Sequence, residues 1–218
     1  WYGGMARGIS ANGEIIYGTS WENWDFGMLY WVNNGANTEK PKWVGEDVRE
    51  VWEETMKNSD GTEYTTHLVN GLICQAQLTK ISPNGKWIAS SYRTETPAED
   101  RLSIVTTQTA AFYNTETETT TIVSDYGESV GVHVTDDGIG FIGIGTLGIS
   151  SGAVYDLNTG TDLGSTQDWV YDNYGIIIPA GYINYVSADG RFVLGTKAES
   201  SAGGVNFINW YIAPPVAK

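Results

Sequence analysis

The chain has 218 residues, enough for one or two domains with a real core, and its 12 Lys and Arg stand against 26 Asp and Glu, a formal net charge of −14. That balance speaks against nucleic acid as a partner, because phosphates need clustered cations, and no apolar run approaches the roughly 18 residues of a membrane-spanning helix. With 27 Gly and only 17% charged residues, the composition is neither that of a disordered acidic tail nor that of a long-helix protein.

The sequence begins at Trp1 with neither an initiator Met nor an apolar leader, so it reads as a processed or excised form. Residues 1–9 are expected to supply an outer strand that closes the array against the unit following Ser187. Ser10-Ala-Asn-Gly13 is a turn signal: Asn-Gly gives the positive φ of a tight hairpin, and the hydroxyl two positions earlier can bond the turn backbone. Ile15, Ile16 and Tyr17 then form a short strand. Trp21-Glu-Asn-Trp-Asp-Phe26 reads as a loop between strands, in a region where six of the nine tryptophans fall within the first 52 residues. Rings in such a loop offer faces to sugar C–H groups, while Asn and Asp offer hydrogen bonds; packing between sheets is the competing use of the same rings. Trp21, Trp24 and Asp25 are therefore candidate ligand-binding residues.

Residues 46–70 look like an insertion. Val48, Val51, Trp52, Thr55 and Met56 fall at helical spacing, which predicts a short amphipathic helix ended by Asn58-Ser-Asp-Gly61; a hairpin turning at Asp60-Gly61 is the alternative. His67, near its end, and His133, between Val132 and Val134, read as structural or surface histidines. Cys74, the single cysteine, cannot make an internal disulfide, and its apolar neighbours Leu72 and Ile73 suggest a buried, inert thiol. Ser82-Pro-Asn-Gly85 repeats the first turn and precedes the strand Trp87-Ile-Ala-Ser90. Tyr92 and Arg93 follow that strand, on a rim corresponding to the Trp21 loop, and join the candidate binding residues. Thr135-Asp-Asp-Gly138 and Ser187-Ala-Asp-Gly190 are the third and fourth turns. From Leu102 through Gly190 there are 11 acidic residues and no Lys or Arg, a one-sign surface that would attract cations or a basic partner.

The hydroxyl residues Ser10, Ser82, Thr135 and Ser187 are spaced by 72, 53 and 52 residues, and each turn is followed by a second strand-turn-strand element. Ala111-Phe-Tyr-Asn-Thr and Ala153-Val-Tyr-Asp-Leu align as two copies of it, Met28-Leu-Tyr-Trp-Val as a first and Asn206-Phe-Ile-Asn-Trp as a truncated last. One unit is then four strands in about 50 residues, within the range of propeller blades.

Ile81-Ser-Pro-Asn-Gly-Lys-Trp-Ile-Ala, followed by Phe112-Tyr-Asn-Thr-Glu-Thr, resembles the Ser-Pro-Asp-Gly repeat of TolB-type β-propellers. Ser187-Ala-Asp-Gly with Gly195 is similar to Ser-x-Asp-Gly repeats of secreted bacterial propeller-like proteins. The resemblance implies an all-β, β-propeller-like fold of about four blades, each a four-stranded antiparallel sheet, over a single domain at 1–218. That domain is either a small ring or part of a longer one.

The sequence shows no Gly-x-Ser-x-Gly elbow, His-Glu-x-x-His or phosphate-cradling loop. The leading expectation is a non-catalytic binding or scaffold module that recognises a protein or neutral glycan through rim loops. A glycan-active hydrolase or lyase using rim carboxylates is the alternative, and a purely structural domain of a larger protein a third. The acidic, aromatic, Thr-, Ser- and Asn-rich composition points to a secreted or cell-envelope protein of a bacterium, periplasmic or on the outer surface. No cofactor is expected; Ca²⁺ is the one ion that Asp136-Asp137-Gly138 or Asn58-Ser-Asp60 could attract, without the full spacing of a calcium loop.

Overall fold

In the computed structural model, which describes residues 4–22, 25–33, 35, 40–74, 78–145, 151–201 and 204–213, each Ser/Thr-x-Asx-Gly segment closes a hairpin between the first two strands of its own antiparallel sheet. Sheet one runs β1 (Gly4–Ile9), β2 (Ile15–Glu22), β3 (Asp25–Val32) and β4 (Lys42–Trp43) in order. The insertion contributes β5 (Glu50–Lys57) and β6 (Glu63–Ile73), which join the core strands of sheet two, β7 (Lys80–Ile81), β8 (Trp87–Pro97), β9 (Ile104–Asn114) and β10 (Thr119–Val123). Sheet three is β11 (Ser129–Val134), β12 (Ile139–Ile144), β13 (Ser151–Asp156) and β14 (Thr161–Ser165). Sheet four has three strands among the described residues, β15 (Tyr182–Val186), β16 (Val193–Ser201) and β17 (Gly204–Ile212). One α-helix is present among the described residues, α1 (Thr166–Tyr174), capped by Ser165 and ended by Gly175, and it connects sheets three and four.

The four turns are built alike. The hydroxyl oxygens of Ser10, Ser82, Thr135 and Ser187 accept the main-chain N–H of Ile15, Trp87, Ile139 and Phe192 at 2.9–3.0 Å, and each hydroxyl donates to the Asx side chain two residues on. Gly13, Gly85, Gly138 and Gly190 hold φ between 66° and 85°, where a side chain would be strained. Successive turns are also joined: Asn12 N donates to Pro83 O at 3.3 Å, Asn12 Nδ2 to Asn84 O at 2.9 Å, and Asn84 N to an Asp136 oxygen at 2.8 Å.

Packing follows the same succession, with one buried cluster at each sheet-to-sheet contact. Ile15, Tyr17, Met28 and Tyr30 of sheet one meet Leu72, Ile88 and Tyr113 of sheet two. Trp87, Ala89 and Phe112 of sheet two meet Val134, Ile142 and Ala153 of sheet three. Val132, Phe141 and Val154 of sheet three meet Ile183, Val186 and Val193 of sheet four, with Val170 of α1 beside them. The period-two alternation of each strand supplies one inward face, and burial of these apolar faces is the main stabilising term.

Two expectations are corrected. Of the two readings of the insertion, the helix is overturned and the hairpin turning at Asp60-Gly61 is what forms: β5 pairs with β6 from Glu50↔Asn70 to Lys57↔Glu63, around a turn where Gly61 has φ 86°. Its inward residues are Trp52, Glu54 and Met56, a period of two that the scattered acids conceal. Among the described residues, β1 does not close the array against sheet four; it pairs with β2, and sheet four ends on β17.

Ser82 is fully buried, and its hydroxyl is the acceptor for Trp87 N–H. Ser82→Ala leaves that donor unsatisfied and is expected to cost about 2 kcal/mol, read as a fall of about 4–8 °C in thermal midpoint. The same change at the partly exposed Ser187, where water can replace the hydroxyl, is expected to cost about 1 kcal/mol or less. Equal losses at both sites would contradict burial as the cause.

Candidate functional site

A cleft of about 620 Å³ opens where sheet one meets the inserted hairpin. Its origin is a strand that leaves its partner. β6 pairs with β8 only over Gly71↔Arg93, Leu72↔Tyr92 and Ile73↔Ser91. Beyond that point side chains replace the ladder: Val69 N donates to Glu95 Oε2 at 3.0 Å, and Glu95 N donates to Asn70 Oδ1 at 2.9 Å. The splayed strands leave room above a floor of Met28, Val44 and Leu72, all buried.

Polar groups converge on this apolar floor. Arg93 Nη2 donates to Glu95 Oε1 in an ion pair, while about a third (35%) of the arginine side chain remains exposed. Its buried Nε–H meets no acceptor among the described residues. Arg49, which follows a 3-10 turn at Glu46–Val48, lays its guanidinium 4.3 Å from the centroid of the Trp43 ring, within cation–π range. A Cβ on Gly27 would come within 2.4 Å of Trp43 Cζ3, so the bare glycine is what lets the indole lie against β3. Thr65, Thr66 and His67 of β6 line the mouth, and His67 Nε2 sits 3.6 Å from Glu53. In a chain of net charge −14, the cleft gathers two of the 12 cationic side chains on one mostly apolar wall.

Of the candidate residues, Arg93 lines the cleft. Tyr92 points to the other side of β8, packs on the cluster under sheets one and two, and has its hydroxyl pKa raised, by burial first and then by Glu50. The segment around Trp21 and Asp25 is not an open loop: β2 and β3 pair up to Trp21↔Phe26 and Glu22↔Asp25, so the strands run to the tip of the hairpin, two residues from Gly27 in the cleft wall. Trp24 lies outside the described residues, and for Trp21 and Asp25 only the main chain is described. Trp43 and Arg49 escape a reading of the sequence, because Trp43 reaches the cleft through the pairing of β4 with β3 and Arg49 by lying against Gly71 of β6.

The other histidine and the cysteine sit in cores. His133 Nε2 accepts Val186 N–H at 3.0 Å and joins sheet three to sheet four; burial drives its pKa down to about 4. Cys74 packs on the first cluster, and burial raises its thiol pKa. The turn acids are engaged, Asp60 by Thr62 and Asp189 by Ser187 and Arg191 within their own turns and Asp136 by Asn84 of the preceding one. Among the described residues no group of three or more His, Cys, Asp and Glu is placed to hold a metal.

Four antiparallel sheets packed in chain order, with matching turns at one end, define an all-β, propeller-like protein. No family model matches the chain, and no curated protein matches its sequence. Among solved structures it is similar to TolB from Acinetobacter baumannii, with a TM-score of 0.50 and 11% identity over 96% of this chain and 41% of that one. The chain thus spans less than half the length of that protein, and at such identity the likeness is one of fold.

Proposed function

We propose that the chain is a non-catalytic binding module of a bacterial cell envelope, and that it takes a protein partner at the cleft between sheet one and the inserted hairpin. The observation that carries this reading is the cleft itself, whose volume suits a side chain or small ligand and whose apolar floor bears a few fixed polar groups. The acidic, Thr- and Ser-rich composition and a fold shared with a bacterial TolB support the envelope placement. Among the described residues no helix is long and apolar enough to cross a membrane.

Two features favour a protein over a neutral glycan or a hydrolase. The Trp43 ring lies against β3 at Gly27 and carries Arg49 above it, so it presents no open face for a sugar. Glu95, the carboxylate in the cleft wall, is held by Arg93 and by Val69 N–H, whereas paired-carboxylate hydrolysis needs an acid free to give and take a proton. Binding to a peptide panel and a glycan array, compared between the native chain and Thr65→Trp, tests the reading. Thr65 is exposed at the mouth, so the variant fills the entrance without touching the core. Peptide binding weakened about tenfold or more is expected. Binding to glycans alone, or polysaccharide cleavage lost in Glu95→Gln, would replace it.

A further inference from the structure

The geometry points to a carboxylate site in this cleft: Arg93 receives the carboxylate of a ligand whose apolar body rests on Met28, Val44 and Leu72, a specification that rests on the binding reading above. The guanidinium is already oriented, because Glu95 holds Nη2 and is itself pinned by Val69 N–H. About a third of its side chain stays exposed in the cleft, and its buried Nε–H meets no acceptor among the described residues. A planar, delocalised cation on an apolar wall suits a carboxylate, since two N–H groups of one edge can meet two oxygens. Arg49, stacked on Trp43, adds a second positive charge to the same wall.

The rest of the molecule narrows the class. A polyanion would face the field of a chain with net charge −14, whereas a single carboxylate on an apolar body exposes little charge to it. The volume of about 620 Å³ accommodates an aromatic or branched side chain with its acid group, and the buried floor residues offer the matching apolar surface. Such chemistry comes from two sources, the C-terminal carboxylate of a peptide with an apolar last residue or a free arylalkanoic acid.

Titration calorimetry of the full chain against four probes tests this: 4-phenylbutyrate, 4-phenylbutanamide, a hexapeptide ending in Phe with a free carboxylate, and its C-terminal amide. The acids are expected to bind at least about tenfold more tightly than their amides, since the charge-assisted pair is lost in the amide. Arg93→Lys keeps a cation for Glu95 but loses the planar fork, and should weaken the acids by about tenfold while leaving amides unchanged. Ile104→Glu, at an exposed position of the cleft wall, should weaken the acids by a similar factor of about ten without disturbing the fold. Tight binding of the peptide acid alone assigns the site to a chain terminus, and of phenylbutyrate alone to a free acid. Equal binding of acids and amides, weakened by Thr65→Trp, overturns the carboxylate and leaves the binding module standing. If none of the four probes binds while the peptide panel still does, the carboxylate proposal fails by itself; if the panel also fails, both fall.

Discussion

Phe141→Ala is expected to cost about 4 kcal/mol and to lower the thermal midpoint by roughly 8–16 °C. Phe141 is fully buried on β12, at the contact of sheets three and four. Its ring stacks on His133 at 5.7 Å and meets Trp169 of α1 edge-on at 5.1 Å and 87°, so one side chain ties two sheets and the helix together. Truncation removes the transfer energy of the ring and leaves a cavity whose walls, held by strand pairing to His133 and Val154, cannot collapse far. Phe141→Leu refills most of that space and should cost about 1–2 kcal/mol. Urea unfolding of both variants is the measurement. Equal losses would assign the effect to the aromatic contacts instead of volume, and a loss under about 1 kcal/mol for Ala would remove this contact from the core.

That contact also shows what could be read from the chain and what could not. The four turns were legible because each residue type has a separate geometric duty: hydroxyl acceptor, carboxamide or carboxylate acceptor, and positive φ. Those duties recur at Ser10, Ser82, Thr135 and Ser187, and the sheets follow from them. α1 carried weaker signals, Ser165 three residues before Asp168 and Gly175 at its end, and it interrupts a strand pattern that its neighbours otherwise sustain. The insertion misled because Val51, Trp52, Thr55 and Met56 fit a helical stripe, whereas on the strand Trp52 and Met56 share the inward face with Glu54 and Val51 and Thr55 point outward. The decisive term was pairing across the Asp60-Gly61 turn with the β-branched residues Thr65, Thr66 and Val69 on β6, which the helical stripe taken alone leaves out.

The site divides in the same way. Arg93 drew notice as a residue just past the short strand Trp87–Ser90, but β8 runs on to Pro97, so Tyr92 and Arg93 lie within it and not on a rim loop. The Arg93 partner Glu95 and the departure of β6 from β8 depend on long-range hydrogen bonds, Val69 N to Glu95 and Glu95 N to Asn70. Trp43 and Arg49 are 50 and 44 residues from Arg93 in sequence and meet it only through the fold. A cleft made by strands that part company leaves no mark in periodicity.

Acid should weaken this protein through His133 before its carboxylates titrate. The imidazole is 3% exposed, flanked by Phe141 and by the Tyr185 ring at 5.4 Å, and accepts Val186 N–H through Nε2, which fixes the proton on Nδ1. Burial, aided by the charge of Lys80, holds its folded pKa at about 4 against 6.5 for a free histidine, and a proton on Nε2 would break the hydrogen bond from Val186. The unfolded chain therefore takes up a proton first as pH falls. The stability is whole above pH 6.5, declines between there and pH 4, and changes no further through this group below that; a shift of this size corresponds to about 3 kcal/mol. Asp60, Asp156 and Asp189 have lowered pKa values from local hydrogen bonds, and Glu118 from its hydrogen bond and ion pair with Lys42, all at exposed positions, so their contribution is lost at still lower pH. Urea midpoints at pH 7.5 and 4.5 should differ markedly for the native chain and little for His133→Gln, which is neutral throughout and can still accept Val186 N–H. The variant starts from a lower stability at pH 7.5, because the imidazole packing on Phe141 is gone. Should the native protein keep its midpoint down to pH 4.5, His133 would have to be protonated within the fold at little cost, and the Val186 hydrogen bond could not be the link between sheets three and four.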